Sequence, residues 1–492
     1  MNTMEKNKKQ LITKNIINEI EKIYIEKKSF KSYDLMEIAG KSIAQYIDKN
    51  FHKKDILFIC GKGGNGGDGL IAARILKDKG WKITIFVPYN KNELSKNTTI
   101  AFNRLKIKPK LFGNLNIKKY GLIVDALFGV GITRNIIGKN KLLIEAINSS
   151  LVPIISIDIP SGINSDTGEV MGVASKCKKT LTFSKYKIGN VLLPGYKYCG
   201  KTEIIDIGIN DSYFRNLSPD ISLNNFTIWK NTILSPKIDD NKYTRGYTLV
   251  IGGPKSMTGA ARLCAKAAQK TGSGIVVVAV NKNSEDIYYS SLTTQIVKSY
   301  RNIAELKIIL NDPRINSVVV GPGLGTGVKS INIMKCIFAT KRRIVIDADA
   351  ITSFKNKFNL LKKLSSESEV IYTPHEGELF SLLPNITGNI LEKCITAGKK
   401  LDSTIVLKSP NTVVYNKHKI VISEPGSKWL ATAGSGDVLS GIIGALLAMG
   451  KNPFTAAGLG VLIHSEAGKI GGPGLTAETL IDQLPQVLKK FL

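Results

Sequence analysis

The sequence lacks any long apolar run. No stretch approaches the roughly 18 apolar residues a membrane-spanning helix needs, so a helical membrane anchor is excluded. No secretory leader is expected: Met1–Gln10 is polar and lysine-rich, with no apolar segment to be threaded across a membrane. Cysteine is sparse. The six, Cys60, Cys177, Cys199, Cys264, Cys336 and Cys394, stand far apart with no metal-ligand spacing. They exclude a disulfide framework and suit the reducing cytoplasm. Acidic residues are few, 39 against 69 Lys and Arg, which gives a formal charge of +30 over 492 residues. The lysines are scattered among Ile and Asn rather than gathered in a stripe. A diffuse charge of this kind is a footprint for non-specific binding only, so no specific nucleic-acid partner is expected. The same field would draw in small anionic ligands.

What is present is enough apolar residue, 43%, for more than one core. The most informative stretch is Gly61-Lys-Gly-Gly-Asn-Gly-Gly-Asp-Gly69. It follows the apolar run Ile56–Cys60, which reads as a buried parallel strand. It precedes Leu70–Leu76, which reads as a helix closed by Gly80. A strand, a glycine loop and a helix N-terminus make a pocket for an anion, because backbone N–H groups can approach a ligand where no Cβ intervenes. A plain phosphate cradle needs no carboxylate, so Asp68 points to chemistry or a polar substrate.

Helical pattern fills residues 11–50, and strands then alternate with helices at 55–60, 82–87, 121–126, 152–158 and 180–184. That is the rhythm of a parallel α/β sheet. It lapses around 205–240 into Asn, Asp, Ser and Pro. A domain boundary near 225 is expected, giving domains 1–225 and 226–492. The rhythm restarts at Thr248–Gly253, with further strands at 275–280, 317–320, 343–347, 369–373 and 404–408 and a hairpin at 412–423. A long helix is expected from about Asp437 to Met449.

Ligands of open parallel sheets bind beyond the carboxyl ends of the strands. Three polar clusters of the first half fall there: the glycine loop, Asp125 with Phe128–Arg134, and Asp158-Ile-Pro-Ser-Gly162. Any one Asp could be a helix cap. Together they offer carboxylates, an amide oxygen and a hydroxyl, hard oxygens that can hold a cation or shuttle a proton.

Leu35-Met-Glu-Ile-Ala-Gly40, Asn65–Gly69, Val124–Gly129 and Asp158–Gly162, in that order, resemble the NAD(P)H-hydrate epimerase domain over about residues 10–215. The resemblance implies interconversion of the R and S epimers of hydrated NADH or NADPH at C6. It implies substrate contacts from Gly64, Asn65, Gly66, Gly67, Asp68, the loop Gly129, Val130, Gly131, Ile132, Thr133, Arg134 and Asn135, and Asp158. It also implies a potassium ion on Asn65, Asp125 and Ser161, and makes Asp68 and Asp158 the acid/base candidates. Gly64 stands where the family usually has a second Asn.

In the second half, Ala433-Gly-Ser-Gly-Asp437 precedes the apolar helix Val438–Leu447. Its N–H groups would face charge developing on a transferring phosphoryl group, and Asp437 could take a proton from a substrate hydroxyl. Gly321–Gly325, Asp347–Ala350, Thr373–Glu378 and Leu407–Thr412 each follow a strand. With Asp437 they resemble the ribokinase-like, ADP-dependent NAD(P)H-hydrate dehydratase domain, over about residues 230–492. That family phosphorylates the C6 hydroxyl of the S hydrate, and elimination restores the dihydronicotinamide. The resemblance makes Asp437 the base, places Gly434, Ser435 and Gly436 around the anion, and lines the hydrate site with Ala260, Gly323 and His375. It gives the nucleotide Lys408, Ser409, Pro410, Asn411 and Thr412. Asn241-Lys242, Ser409-Pro410 and Glu376 depart from the usual pattern, and His464 reads as a packed core histidine.

The expected fold is therefore α/β with two domains: an N-terminal Rossmann-like three-layer α/β/α epimerase domain and a C-terminal ribokinase-like α/β dehydratase domain. The expected ligands are hydrated NADH or NADPH, ADP, K+ and Mg2+, with room for a homo-oligomer and no membrane partner. The alternative is a ribokinase-like kinase for a vitamin precursor, fused to a Rossmann-like nucleotide- or RNA-binding module.

Overall fold

The computed structural model describes residues 9–110, 115–215, 217–232 and 235–491. Most of the lysine-rich opening, residues 1–8, lies outside the described residues. The chain divides into two compact units, Met1–Leu217 and Ser218–Leu492.

In the first unit the strands are β1 (Leu11–Ile12), β2 (Ile56–Cys60), β3 (Ile83–Phe86), β4 (Leu122–Ala126), β5 (Ile154–Ile157), β6 (Lys179–Phe183), β7 (Tyr186–Lys187) and β8 (Lys201–Ile205). A six-stranded sheet runs in the order β3-β2-β4-β5-β6-β8, parallel throughout. Helices α1 (Lys14–Lys28), α2 (Ser32–Asn50) and α3 (Gly64–Asp78) supply one core, in which Ile43, Ile47, Leu70 and Ala73 meet Phe58 and Val124. On the opposite face Leu57, Ile59 and Ile123 meet Leu143 and Ile147. Because both faces are covered, β2 and β4 read as near-continuous apolar runs. The chain leaves β2 for β3 and returns to β4 on the other side. That reversal opens a crevice at the carboxyl ends of β2 and β4.

Two expectations are corrected here. The helical pattern over 11–50 is not one element: β1 precedes it and Ser29, at φ 54°, breaks it. Helix α3 begins at Gly64, not at Leu70, so Gly64–Gly69 are its first turns. Close packing selects Gly66, Gly67 and Gly69. A Cβ on Gly66 would lie 1.9 Å from the carbonyl oxygen of Gly61, whereas one on Gly64 would meet nothing.

The second unit holds β9 (Asp220–Leu223), β10 (Tyr247–Ile251), β11 (Ile275–Asn281), β12 (Ile296–Tyr300), β13 (Ser317–Val320), β14 (Arg343–Ile346), β15 (Val370–Tyr372), β16 (Thr404–Leu407), β17 (Val413–Asn416) and β18 (Lys419–Ile422). They form one sheet, β12-β11-β10-β13-β14-β15-β16-β17-β18-β9, parallel except where β17 pairs with its two neighbours. Helices α4 (Thr258–Thr271), α5 (Ser435–Ala448) and α6 (Pro453–Gly471) bury Ala265, Ile443, Leu446 and Leu459 against Val278 and Val319. Here the reversal falls between β10 and β13. The expected boundary near 225 comes too late, because β9 pairs with β18 and already belongs to the second sheet.

Candidate active sites at the two sheet reversals

In the first unit the expected cation ligands form one hydrogen-bonded group. Asp125 ends β4, fully buried. Its Oδ1 accepts from the Ser161 hydroxyl at 2.6 Å and its Oδ2 from the Ser161 N–H at 2.9 Å. The Phe128 N–H donates to Ser161 Oγ at 2.8 Å, and Asn65 Nδ2 donates to the Phe128 carbonyl at 3.0 Å. Burial raises the Asp125 carboxyl, opposed by the hydrogen bonds from Ser161. Asn65 Oδ1 is buried with no hydrogen-bond partner in the protein, although buried acceptors are ordinarily satisfied. An unsatisfied amide oxygen beside a carboxylate, a hydroxyl and a carbonyl is a fitting donor set for a hard cation. The loop from Gly129 to Asn135 starts against this group: a Cβ on Gly129 would lie 3.1 Å from Asn65 Cβ.

Asp158, after β5, sits at φ 66°, a conformation only short polar residues adopt at modest cost. It is held there by the Phe183 N–H at 3.1 Å, the Thr182 hydroxyl at 3.2 Å and an ion pair with Lys187 Nζ. Lys187 is itself buried. Asp68, in the second turn of α3, belongs to the same group: burial, then the charges of Asp158 and Glu21, push its carboxyl well above the ordinary range. Sequence reasoning missed Glu21 and Lys187.

In the second unit the sites follow β10, β13, β14, β15 and β16. The two glycine turns at the reversal touch: a Cβ on Gly253 would lie 1.8 Å from the Gly323 carbonyl oxygen, and one on Gly323 would lie 3.2 Å from Ala260 Cβ. Gly323 and Ala260, both expected in the hydrate site, are thus neighbours. Asp437 stands in the first turn of α5. Gly434 before it has φ 86° and is walled in by Leu263 and Ala477. The Ser435 carbonyl accepts from His464 Nε2 at 2.8 Å. Burial pulls His464 down to about 4, so it is neutral at pH 7 and ties α6 to the loop. It is packed, as expected, yet it also holds the glycine turn.

Lys408 Nζ lies 2.6 Å from Asp347 Oδ1 and 3.7 Å from Glu378 Oε2. Burial draws this ammonium down, but the two carboxylates outweigh it and its pKa is raised. Ser440 of α5 donates to the other Asp347 oxygen at 2.6 Å, a link the sequence reading did not foresee. Among the described residues no ion pair falls to Asp437. Burial, then Asp347, push it up to about 7, with Lys408 opposing and Asp349 and Glu378 adding. His375 caps the helix Glu376–Leu382: its Nδ1 accepts from the Glu378 N–H at 3.2 Å, while the ring stays largely exposed. Beyond Lys408 the turn closes on itself, with Ser409 Oγ donating to Asn411 O at 2.7 Å and Thr412 Oγ1 to Ser409 O at 3.0 Å. Pro410 sits in this turn, and its carbonyl accepts from the Gly426 N–H at 3.0 Å.

Two family models match the chain. One described as YjeF-related protein N-terminus covers residues 32–189, and one described as NAD(P)H-hydrate dehydratase covers 248–486. A Dictyoglomus turgidum protein named bifunctional NAD(P)H-hydrate repair enzyme Nnr is 32% identical, over 98% of this chain and 99% of its own length. A Coxiella burnetii protein of the same name is 33% identical, over 95% and 97%. A solved ADP/ATP-dependent NAD(P)H-hydrate dehydratase of Bacillus subtilis is 23% identical with a TM-score of 0.48, covering 56% of this chain and 100% of its own. With relatives alike over both units and nearly end to end, the chain belongs to the family of bifunctional NAD(P)H-hydrate repair enzymes.

Proposed function

We propose that the first unit interconverts the R and S hydrates at the β2–β4 crevice and that the second returns the S hydrate to NAD(P)H at the β10–β13 crevice, converting ADP to AMP and phosphate. The observation that carries the reading is Asp437. It is a carboxylate at a helix N-terminus that keeps little of its charge below pH 7, beside backbone N–H groups suited to a phosphoryl anion. Asp437 takes the proton of the C6 hydroxyl as that oxygen attacks the transferring phosphoryl group. The N–H groups of Gly434–Gly436 face the negative charge, and Lys408 to Thr412 hold the nucleotide. Ala260, Gly323 and His375 line the hydrate side. Elimination of the phosphate then restores the dihydronicotinamide.

In the first unit Asp158, with the Lys187 ammonium against it, has the setting of a base. Asp68, whose carboxyl burial raises well above the ordinary range, has the setting of an acid. Gly64–Gly67 and the Gly129–Asn135 loop border the substrate. Asn65, Asp125 and Ser161 would hold potassium, which would supply positive charge next to an anionic substrate. Magnesium fits the second unit as a companion of the nucleotide's phosphates. Among the described residues no three His, Cys, Asp or Glu side chains gather as a metal site.

The test is to incubate mixed NADH hydrates with ADP and Mg2+ and follow dihydronicotinamide absorbance together with the epimer ratio. Both epimers should be consumed by the intact chain. Asp158→Ala should stop recovery once the S epimer is spent. A phosphorylated product without recovery of absorbance, with ADP or with ATP, would instead identify a small-molecule kinase.

A further inference from the structure

The crevice of the second unit continues past the residues assigned to the hydrate. Beyond the carboxyl ends of β10, β11, β12 and β13 lies a cavity of about 720 Å³, a size that holds a small ligand. Gly253 and Leu324 line it, so it begins where Gly253, Gly323 and Ala260 meet. That wall is fixed from the β11 side. The Gly253 N–H donates to the Tyr288 hydroxyl at 2.9 Å, and Ser284 Oγ donates to the Gly253 carbonyl at 3.3 Å. In the sheet β16 stands three strands from β13, on the side away from β10, and Lys408 to Thr412 follow it. With ADP on that side, the bulk of a hydrate whose C6 hydroxyl faces Asp437 has the opposite side left to it, where the cavity is.

The lining suits a phosphorylated nucleoside. Three exposed cations stand along it: Lys255 after β10, Arg301 after β12 and Lys329 in the first turn of the helix Val328–Phe338. No Asp or Glu is among its lining residues. Among the described residues Lys255 and Lys329 make no ion pair. Carboxylates next to the wall are engaged: Glu305 lies 3.5 Å from Arg301, Glu285 pairs with Lys282, and Asp349 accepts from the Gly325 N–H at 2.9 Å. No side chain caps the helix of Lys329 and no acidic residue stands in its first turn, so its dipole adds to the positive field. Ile303, Leu324 and Ile333, beside the buried Tyr300, offer apolar surface to a purine.

We propose that this cavity takes the adenosine half of the hydrate, and that Lys255, Arg301 and Lys329 read the ribose 2′-phosphate that distinguishes NADPH hydrate from NADH hydrate. This rests on the dehydratase reading above. Cations at the 2′-phosphate are the usual means of telling the two dinucleotides apart. The second unit therefore favours the NADPH form, and the preference lies in binding, remote from the C6 hydroxyl.

The test is kcat and KM for the S hydrates of NADPH and NADH, at saturating ADP and Mg2+, in the intact chain. K329M and K255M should each raise KM for NADPH hydrate roughly tenfold, the weight of one charge-assisted hydrogen bond, and raise KM for NADH hydrate far less. K307M removes an exposed charge of the helix Ile303–Leu310 that does not line the cavity, and it should move neither KM. An equal rise for both hydrates, no rise for either, or the same rise in K307M overturns the proposal. If wild-type protein recovers dihydronicotinamide from neither hydrate, the dehydratase reading falls. Calorimetry with adenosine 2′,5′-bisphosphate at saturating ADP then decides the subsite: binding about tenfold weaker in K329M supports it, and binding that is unchanged or undetectable refutes it.

Discussion

Dehydration should gain rate with pH through neutrality. Asp437 must lose its proton to act as base, and its surroundings move that loss from 3.8 to about 7. The ionised fraction is then roughly a tenth at pH 6 and nine-tenths at pH 8, so kcat should rise about tenfold between them, with unit slope on the acid side. The assay is single-turnover recovery of dihydronicotinamide absorbance at saturating ADP and Mg2+. Lys408→Met removes the opposing cation, so its midpoint should lie above the wild-type one. The same group acts on stability with a definite sign. The folded carboxyl binds its proton more tightly than the unfolded one. Between about 4 and 7 folding therefore takes up a proton, and stability falls as pH rises, levelling off above 7. The shift of roughly three units corresponds to at most about 4 kcal/mol. Partial exposure and screening reduce that, so the ligand-free protein should melt a few degrees lower at pH 8 than at pH 5 from this group. The pH dependence of melting should shrink in Asp437→Asn. A kcat flat from pH 5.5 to 8.5, or a midpoint near 4, would refute the base assignment.

Asp437→Asn should lower dehydration by about 10²–10⁴-fold and leave epimer exchange at the wild-type rate, measured on one preparation. Ser161→Ala should abolish any stimulation of epimer exchange by K+ over Na+, since it removes a donor next to Asp125 and Phe128. Gly434→Ala should destabilise the chain by about 1–3 kcal/mol in chemical denaturation, because φ is 86° and its Cβ would stand 2.7 Å from Leu263 Cδ1.

The sheet interiors were legible because burial on both faces writes itself as apolar runs. Ile56–Cys60 and Ser317–Val320 were read within a residue of their bounds. The strands missed lie at edges or next to them. β12 carries Lys298 and Ser299, and β8 carries Lys201 and Glu203, so neither presents a continuous run. β9 hides in polar sequence and gains its place only by pairing with β18, a partner about 200 residues away. The reading of Gly61–Gly69 as a loop failed for a different reason. Glycine is disfavoured in helices on its own account, but here backbone crowding at Gly61 demands it inside α3. Glu21 looked like one more charge in a Lys- and Glu-rich helix. The signal available was its place between Ile17, Ile20 and Tyr24.

The two units solve one electrostatic problem alike. Each sets a buried ammonium, Lys187 in the first and Lys408 in the second, against a group of carboxylates. That ammonium pairs with a carboxylate following a strand, Asp158 after β5 or Asp347 after β14. The carboxylate near a helix N-terminus, Asp68 or Asp437, is then left with burial and like charges, and both forces raise its pKa. Asymmetric pairing leaves one carboxylate in an ion pair and one raised by burial, two settings that acid–base work can use. The difference lies in the degree. Asp437 settles near neutrality, so it can serve as a base when the nucleotide and hydrate are in place. At Asp437 the Lys408 ammonium opposes the rise, whereas at Asp68 burial and then Asp158 act first, with Glu21 adding.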